Sequence, residues 1–156
     1  MASRPARHHY SYADYLAYEH DSGMKHEYDG GEILAVVGGS RRHNALASRI
    51  GAALENGRKP GCIAFQSDQR IRILATGKAT YPDVSMVCGP VEGDPADPSR
   101  ATITNPALVS QSHPRVEHYR RLATGGWEYH DATEGVVQLA SGAVLDLARL
   151  YAQLPD

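Results

Sequence analysis

Eight residues, Tyr81-Pro-Asp-Val-Ser-Met-Val-Cys88, constrain this chain more than any other stretch. After the aspartate every position is apolar or small. That is the pattern of a strand covered on both faces, whereas strict alternation would mark a strand wet on one side. Such a strand needs packing layers on either side, and the rest of the chain must supply them. At roughly 100–200 residues per domain, 156 residues make one core of that kind.

The layers can be read on both sides of it. Ser11 is placed to cap a first short helix, with Asp14 completing a capping box and Tyr12, Tyr15 and Leu16 on one face before Ser22-Gly23. Lys25 to Tyr28 and Glu32 to Val37 flank Asp29-Gly30-Gly31 and predict a hairpin. Ser40 can cap a second helix in which Leu46, Ile50, Ala53 and Leu54 form one apolar stripe, closed by Gly57 and Pro60. Cys62 to Gln66 and Gln69 to Leu74 read as strands, the second half-exposed because Ile71 and Ile73 alternate with Arg70 and Arg72. Gly89 to Asn105 carries Pro90, Pro95 and Pro98 and reads as a surface loop. Ala107 to Ser110, Arg115 to Arg121, Trp127 to His130 and Val136 to Leu139 read as strands, the tail forming an antiparallel meander, with Leu145 to Tyr151 a closing helix.

Sixteen Lys+Arg against eighteen Asp+Glu give a net charge of −2, so no overall basic excess announces a nucleic-acid surface and only a local patch can serve. No apolar run reaches the ~18 residues of a membrane span, and Met1 to His9 lacks the apolar stretch of a secretory signal. The expectation is a cytoplasmic protein with no membrane partner. Cys62 and Cys88 have neither C-x-x-C nor zinc spacing and are expected to be reduced core thiols. His8, His9, His20 and His26 lack metalloprotease spacing and are expected at the surface; no nucleophile elbow and no phosphate-binding glycine loop is present.

Asp83 is the sharpest candidate for chemistry. A carboxylate fixed by proline at the start of a buried strand can aim oxygen ligands into a cleft, the geometry that magnesium-assisted phosphodiester hydrolysis uses. Pro-Asp is equally the ordinary backbone chemistry of a turn. Glu27 or Glu32 on the hairpin can supply a second carboxylate if the hairpin folds against the Asp83 strand; otherwise they are a solvated face. Arg41, Arg42 and His43 begin the second helix, where cationic side chains and free N–H groups can hold a phosphate, or simply meet water. Arg115, Arg120 and Arg121, with His118 and Tyr119, form a second basic segment.

Tyr12-Ala-Asp-Tyr-Leu, Lys25-His-Glu-Tyr-Asp-Gly-Gly-Glu-Ile33, Gly38-Gly-Ser with His43, Ser67-Asp-Gln-Arg-Ile-Arg72 and Tyr81-Pro-Asp-Val84 together resemble the Uma-two family. Their order and spacing make the set specific. That family is similar to the PD-(D/E)XK nucleases. The resemblance implies an α+β, restriction-endonuclease-like mixed sheet flanked by helices, as a single domain over 1–156. Residues 10–105 would form the N-terminal half of the core and 106–151 the C-terminal strands. It further implies a magnesium-dependent endonuclease acting on DNA, with manganese as a substitute ion. By this resemblance Asp83 and Glu27 would be metal ligands and catalytic residues, and His43 matches a recurrent histidine, a third catalytic candidate with no assigned role; apart from the resemblance, the candidate nucleic-acid contacts are Arg41, Arg42, Arg70 and Arg72.

Against the family pattern, the chain passes from Asn105-Pro-Ala-Leu108 straight to Leu108-Val-Ser-Gln111. A strand-helix-strand unit of about 30 residues, carrying the second carboxylate and the lysine, is absent by this reading. Aligning Gln111 and Arg115 with those two residues does not restore them, because an amide has no charge for a metal and arginine is too basic to pass a proton. Weak or absent turnover is therefore expected. The alternatives are a catalytically dead module that binds DNA or protein, or a shortened family member without activity. Loss of a central strand also predicts a homo-oligomer formed through an exposed sheet edge, unless Leu108 to Ser110 fills the vacated slot.

Overall fold

A computed structural model describes residues 9–99, 101–104, 107–108, 116–122, 126–139 and 141–155, of which 107–108, 116–122 and 126–131 are described as backbone alone. Helix α1 (Tyr12–Ser22) starts with the expected capping box, Asp14 N–H donating to Ser11 Oγ at 3.1 Å and Ser11 N–H to Asp14 Oδ2 at 2.8 Å. It ends at Gly23, whose φ of 67° is the left-handed conformation that glycine adopts without cost. Strands β1 (His26–Asp29) and β2 (Glu32–Ala35) form the hairpin, with Glu27 opposite Leu34 and Tyr28 opposite Ile33. Helix α2 (Arg41–Gly57) is capped by Ser40 and buries Leu46, Ile50 and Leu54.

Strands β3 (Cys62–Gln66), β4 (Arg70–Arg72), β5 (Ala79–Thr80) and β6 (Val84–Cys88) follow. Sequence periodicity does not reveal β5, which is two residues long and held by pairing on both sides, with β1 and with β4. The segment after β6 is more than a surface loop. It contains β7 (Thr102–Ile103), parallel to β4, and buries Asp94 and Asp97. The resulting five-stranded sheet runs β2-β1-β5-β4-β7 and is mixed, all its pairs being antiparallel except β4–β7.

A second sheet runs β3-β6-β8, where β8 is Ala107–Leu108. Here β8 lies on the free edge of β6, Leu108 opposite Ser85 and Ala107 opposite Met86, so that edge is covered over two residues. Strands β9 (Val116–Leu122) and β10 (Gly126–Ala132) form one hairpin, and β11 (Val136–Gln138) and β12 (Val144–Asp146) another, so the expected meander is two separate ribbons. Leu145 belongs to β12, and α3 (Leu147–Tyr151) starts after it, capped by Asp146.

Strand β6 is buried on both faces, as its composition requires. Val84 and Met86 pack with Leu46, Ile50 and Leu54 of α2 and with Leu145, Leu147 and Leu150, whereas Val87 packs with Ile71 and Ile103 of the mixed sheet. A third cluster, Tyr15, Tyr28 and Ala79, seats α1 on the mixed sheet.

One sequence expectation is overturned at the end of β6. Cys62 and Cys88 form a disulfide, because the β3–β6 register sets them directly opposite with Cα atoms 4.0 Å apart. A sequence separation of 26 carries no information about that register.

Candidate active site

Two elements bring the central pair together. Asp83 stands immediately before β6, and His43 lies in the first turn of α2, its N–H donated to Ser40 Oγ at 3.2 Å. Because α2 packs on β6, the His43 imidazole Nε2 reaches Asp83 Oδ1 at 2.8 Å. Both side chains are about one-third open to solvent, at 35% and 30%, so the pair is accessible as well as bonded. Gly39 makes room for it: a Cβ there would lie 2.3 Å from His43 Cδ2. The glycine of Gly38-Gly-Ser40 that matters is thus the one under the ring.

Glu27, on β1, is placed otherwise. Its Oε1 accepts a hydrogen bond from Thr80 Oγ1 on β5, three residues before Asp83. The β1–β5 pairing therefore bonds Glu27 to the strand that leads into Asp83, and each carboxylate is engaged by its own partner. Among the described residues no group of three His, Cys, Asp or Glu side chains is gathered so as to hold a metal ion. A magnesium site takes six oxygen ligands in near-octahedral geometry, with waters completing the set. One carboxylate bonded to an imidazole and another bonded to a threonine do not form a ready-made centre of that kind. Gln111 and Arg115, and the side chains of His118, Tyr119, Arg120 and Arg121, lie outside the described residues.

The four arginines named as nucleic-acid contacts divide into two pairs. Arg41 and Arg42 are exposed at the start of α2, beside His43. Arg70 is 7% exposed and belongs to the interior, its Nη2 donating to Asp97 Oδ2 at 2.8 Å and its Nε to Thr102 Oγ1 at 2.6 Å. Arg72 donates to Asp94 at 3.3 Å and lays its guanidinium 3.7 Å from the centre of the Tyr12 ring. Arginines so occupied are not free to meet a phosphate backbone. The alternation that suggested a wet face is real, but the loop carrying Asp94 and Asp97 covers it.

His26 is likewise interior, 4% exposed, with Nδ1 3.0 Å from Glu19 Oε2. Glu19 Oε1 also accepts from the Tyr81 hydroxyl at 2.5 Å, and burial together with that bond pushes the phenol up to about 12. Sequence reading missed this cluster and both buried aspartates. The only signal was the pair of Asp-Pro dipeptides: each aspartate accepts from the N–H two residues on, Asp94 from Ala96 and Asp97 from Ser99, a local turn device that sequence can suggest. The arginines bound by their remaining oxygens are distant in sequence.

With this geometry in hand, the fold can be placed. It is shared with a crystal structure from Anabaena variabilis ATCC 29413, described as a "putative nuclease belonging to DUF820", at a TM-score of 0.53 and 16% identity, covering 83% of this chain and 91% of that one. The α+β architecture is thus the one seen in that structure. Residues 12–110 match the Uma2 family, described as "Putative restriction endonuclease", and the chain belongs to that family. Two uncharacterized proteins of Synechocystis are similar to it. One, slr1290, is 38% identical over 111 residues, 69% of this chain and 56% of that protein; the other, sll1609, is 34% identical over 101 residues, 64% and 55%. The chain spans about half the length of these curated relatives. No helix among the described residues is long and apolar enough to cross a membrane.

Proposed function

We propose that this chain is a DNA-directed member of its nuclease family whose magnesium-dependent phosphodiester hydrolysis is weak or absent. The observation that carries the reading is the His43–Asp83 pair: the carboxylate expected to receive a metal is instead bonded to an imidazole at 2.8 Å. Exposed Arg41 and Arg42 and the N-terminal turn of α2 supply phosphate contacts beside it. His43, oriented through Nε2, presents Nδ1 as the atom able to hold or move a proton near a bound phosphate. By the family resemblance a second active-site carboxylate and a lysine belong to the segment after Ile103, and this chain has no lysine there. The loss of one electrostatic stabiliser typically costs about 10²–10³ in rate, and two such losses leave little turnover.

The test uses plasmid DNA and a labelled duplex. Binding should weaken steeply with salt, because phosphate contacts release counterions, and Arg41→Ala with Arg42→Ala should flatten that dependence. Nicking in magnesium or manganese should stay near background. Vigorous metal-dependent cleavage that disappears in Asp83→Ala would establish a competent nuclease instead, and salt-independent or undetectable DNA binding would remove the DNA reading.

A further inference from the structure

Lys25 stands just ahead of β1, and the hairpin takes it in, Val36 N–H donating to Lys25 O at 3.0 Å. Side chains alternate between the two faces of such a ladder. His26 and Tyr28 are buried, and Tyr28 packs with Tyr15 of α1. Lys25 and Glu27 therefore share the opposite face, where Glu27 meets Thr80 of β5.

From that face the Lys25 ammonium reaches chain on either side of Asp83. Its Nζ donates to Ser67 O at 3.1 Å and lies 5.6 Å from the centre of the Tyr81 ring. Tyr81 precedes Asp83 by two residues, and Ser67 follows Gln66, which pairs with Val84, the residue after Asp83. One paired step and one residue along each strand keep the Cα atoms of Ser67 and Asp83 within about 13 Å, the span of a few nucleotides of a strand. The ammonium thus stands at the same end of β6 as the His43–Asp83 pair, although no local pattern joins Lys25 to either residue.

The counter-charge of Lys25 is Asp68. Ser67 and Asp68 are the central residues of a turn closed by Gln69 N–H on Gln66 O at 3.0 Å, and the Asp68 side chain is 88% exposed. Arg70 and Arg72 are held otherwise, by aspartates 3% and 0% exposed. An ion pair with so exposed a partner contributes little, so a phosphate can take the place of Asp68 at small cost. The charges at this end of the molecule favour that exchange. Lys25, Arg41 and Arg42 stand against Glu27, Asp68 and Asp83, and Asp68 turned to water leaves three cations and two carboxylates, one bonded to Thr80 and one to His43. Glu19, the remaining carboxylate near Tyr81, belongs to α1 and is paired there with His26. We infer that Lys25 is a phosphate-binding residue of this site, with Asp68 holding the ammonium until a phosphate displaces it. That the phosphate belongs to DNA rests on the reading above; the exchange of Asp68 for a phosphate does not.

Two measurements test this, one on the ammonium itself and one on a labelled duplex. The sequence has three lysines, Lys25, Lys59 and Lys78, so isotope-labelled dimethyl-lysine gives few NMR signals, and dimethylation keeps the charge. Lys25→Gln identifies the signal of Lys25. Inorganic phosphate should move that signal in the wild-type chain, and so should the duplex. Lys25→Gln should weaken duplex binding about tenfold near 0.1 M salt and flatten the salt dependence by about one phosphate contact. Asp68→Asn should strengthen binding roughly two- to fivefold, and that gain should vanish in the Lys25→Gln background. A Lys25 signal indifferent to both probes overturns the inference. So does an Asp68→Asn gain that persists without Lys25, which would make Asp68 a simple repulsive charge. Where Lys25→Gln fails to fold, unchanged duplex affinity in Asp68→Asn overturns it as well. Duplex binding that needs Arg41 and Arg42 but ignores Lys25 and Asp68 keeps the DNA reading and sinks the role of Lys25. A Lys25 signal moved by phosphate in a chain that binds no duplex keeps the phosphate site and sinks the DNA reading.

Discussion

At the scale of single residues, Gly39 and Asp97 are each decided by one neighbour. A methyl group on Gly39 would collide with the His43 ring, and the ring, being the mobile partner, is what must yield. Gly39→Ala should therefore displace His43 from Asp83 at a stability cost under about 1 kcal/mol. The imidazole NMR signals of His43 should move to their positions in Asp83→Ala; unchanged signals would show that the ring does not depend on that gap. Asp97 behaves differently. Burial alone would raise its pKa, but hydrogen bonds from Ser99, Thr102 and Arg70 outweigh burial and hold the carboxyl far below its ordinary 3.8. A carboxyl depressed by folding stabilises the fold above its unfolded-state pKa and loses that contribution as the pH falls. Acid unfolding monitored below pH 3.8 should show this loss. Asp97→Ala, which leaves Arg70 buried and unpaired, should cost about 3–5 kcal/mol in denaturant melts. A melt within about 1 kcal/mol of wild type would make the pair a bystander.

At the scale of elements, legibility in the sequence follows how local the deciding interaction is. The capping box of α1, the glycine hairpin and the α2 stripe are set within a few residues of each other, and all three form where the sequence places them. Asp83 and His43 could be named as candidates, but their meeting depends on how α2 lies across β6, which no local pattern states. Strand β5, the β4–β7 pairing and the disulfide depend on partners far away, and periodicity is silent about them. The disulfide offers a direct check. A bridge spanning 26 residues restricts the unfolded chain by about 3.5 kcal/mol in the loop-closure picture. Reduction with a small dithiol should lower stability by an amount of that order, with Cys62→Ala and Cys88→Ala insensitive to the reductant. Identical melts with and without reductant would mean that the bridge adds nothing to the fold.

At the scale of the whole molecule, the expectation of an open edge is modified by β8, which lies on β6 where a bare strand edge was anticipated. Strand β2, at the end of the mixed sheet, leaves its other side without a partner strand among the described residues. Leu34, Val36 and Val37 are 46%, 40% and 88% exposed there, and no lysine or proline blunts the run. Self-association through this edge should therefore appear as concentration-dependent sedimentation, reduced by Val37→Lys. A single sedimenting species of monomer mass across concentrations would argue against it.

The two aspartates that reach inward from the proline-rich segment also bear on where the polypeptide can be cut and rejoined. By composition that stretch looks like the natural place to insert a tag or open a circular permutant. A break between Asp94 and Thr102 would instead separate the mixed sheet's two arginines from their counter-charges and free β7 from β4.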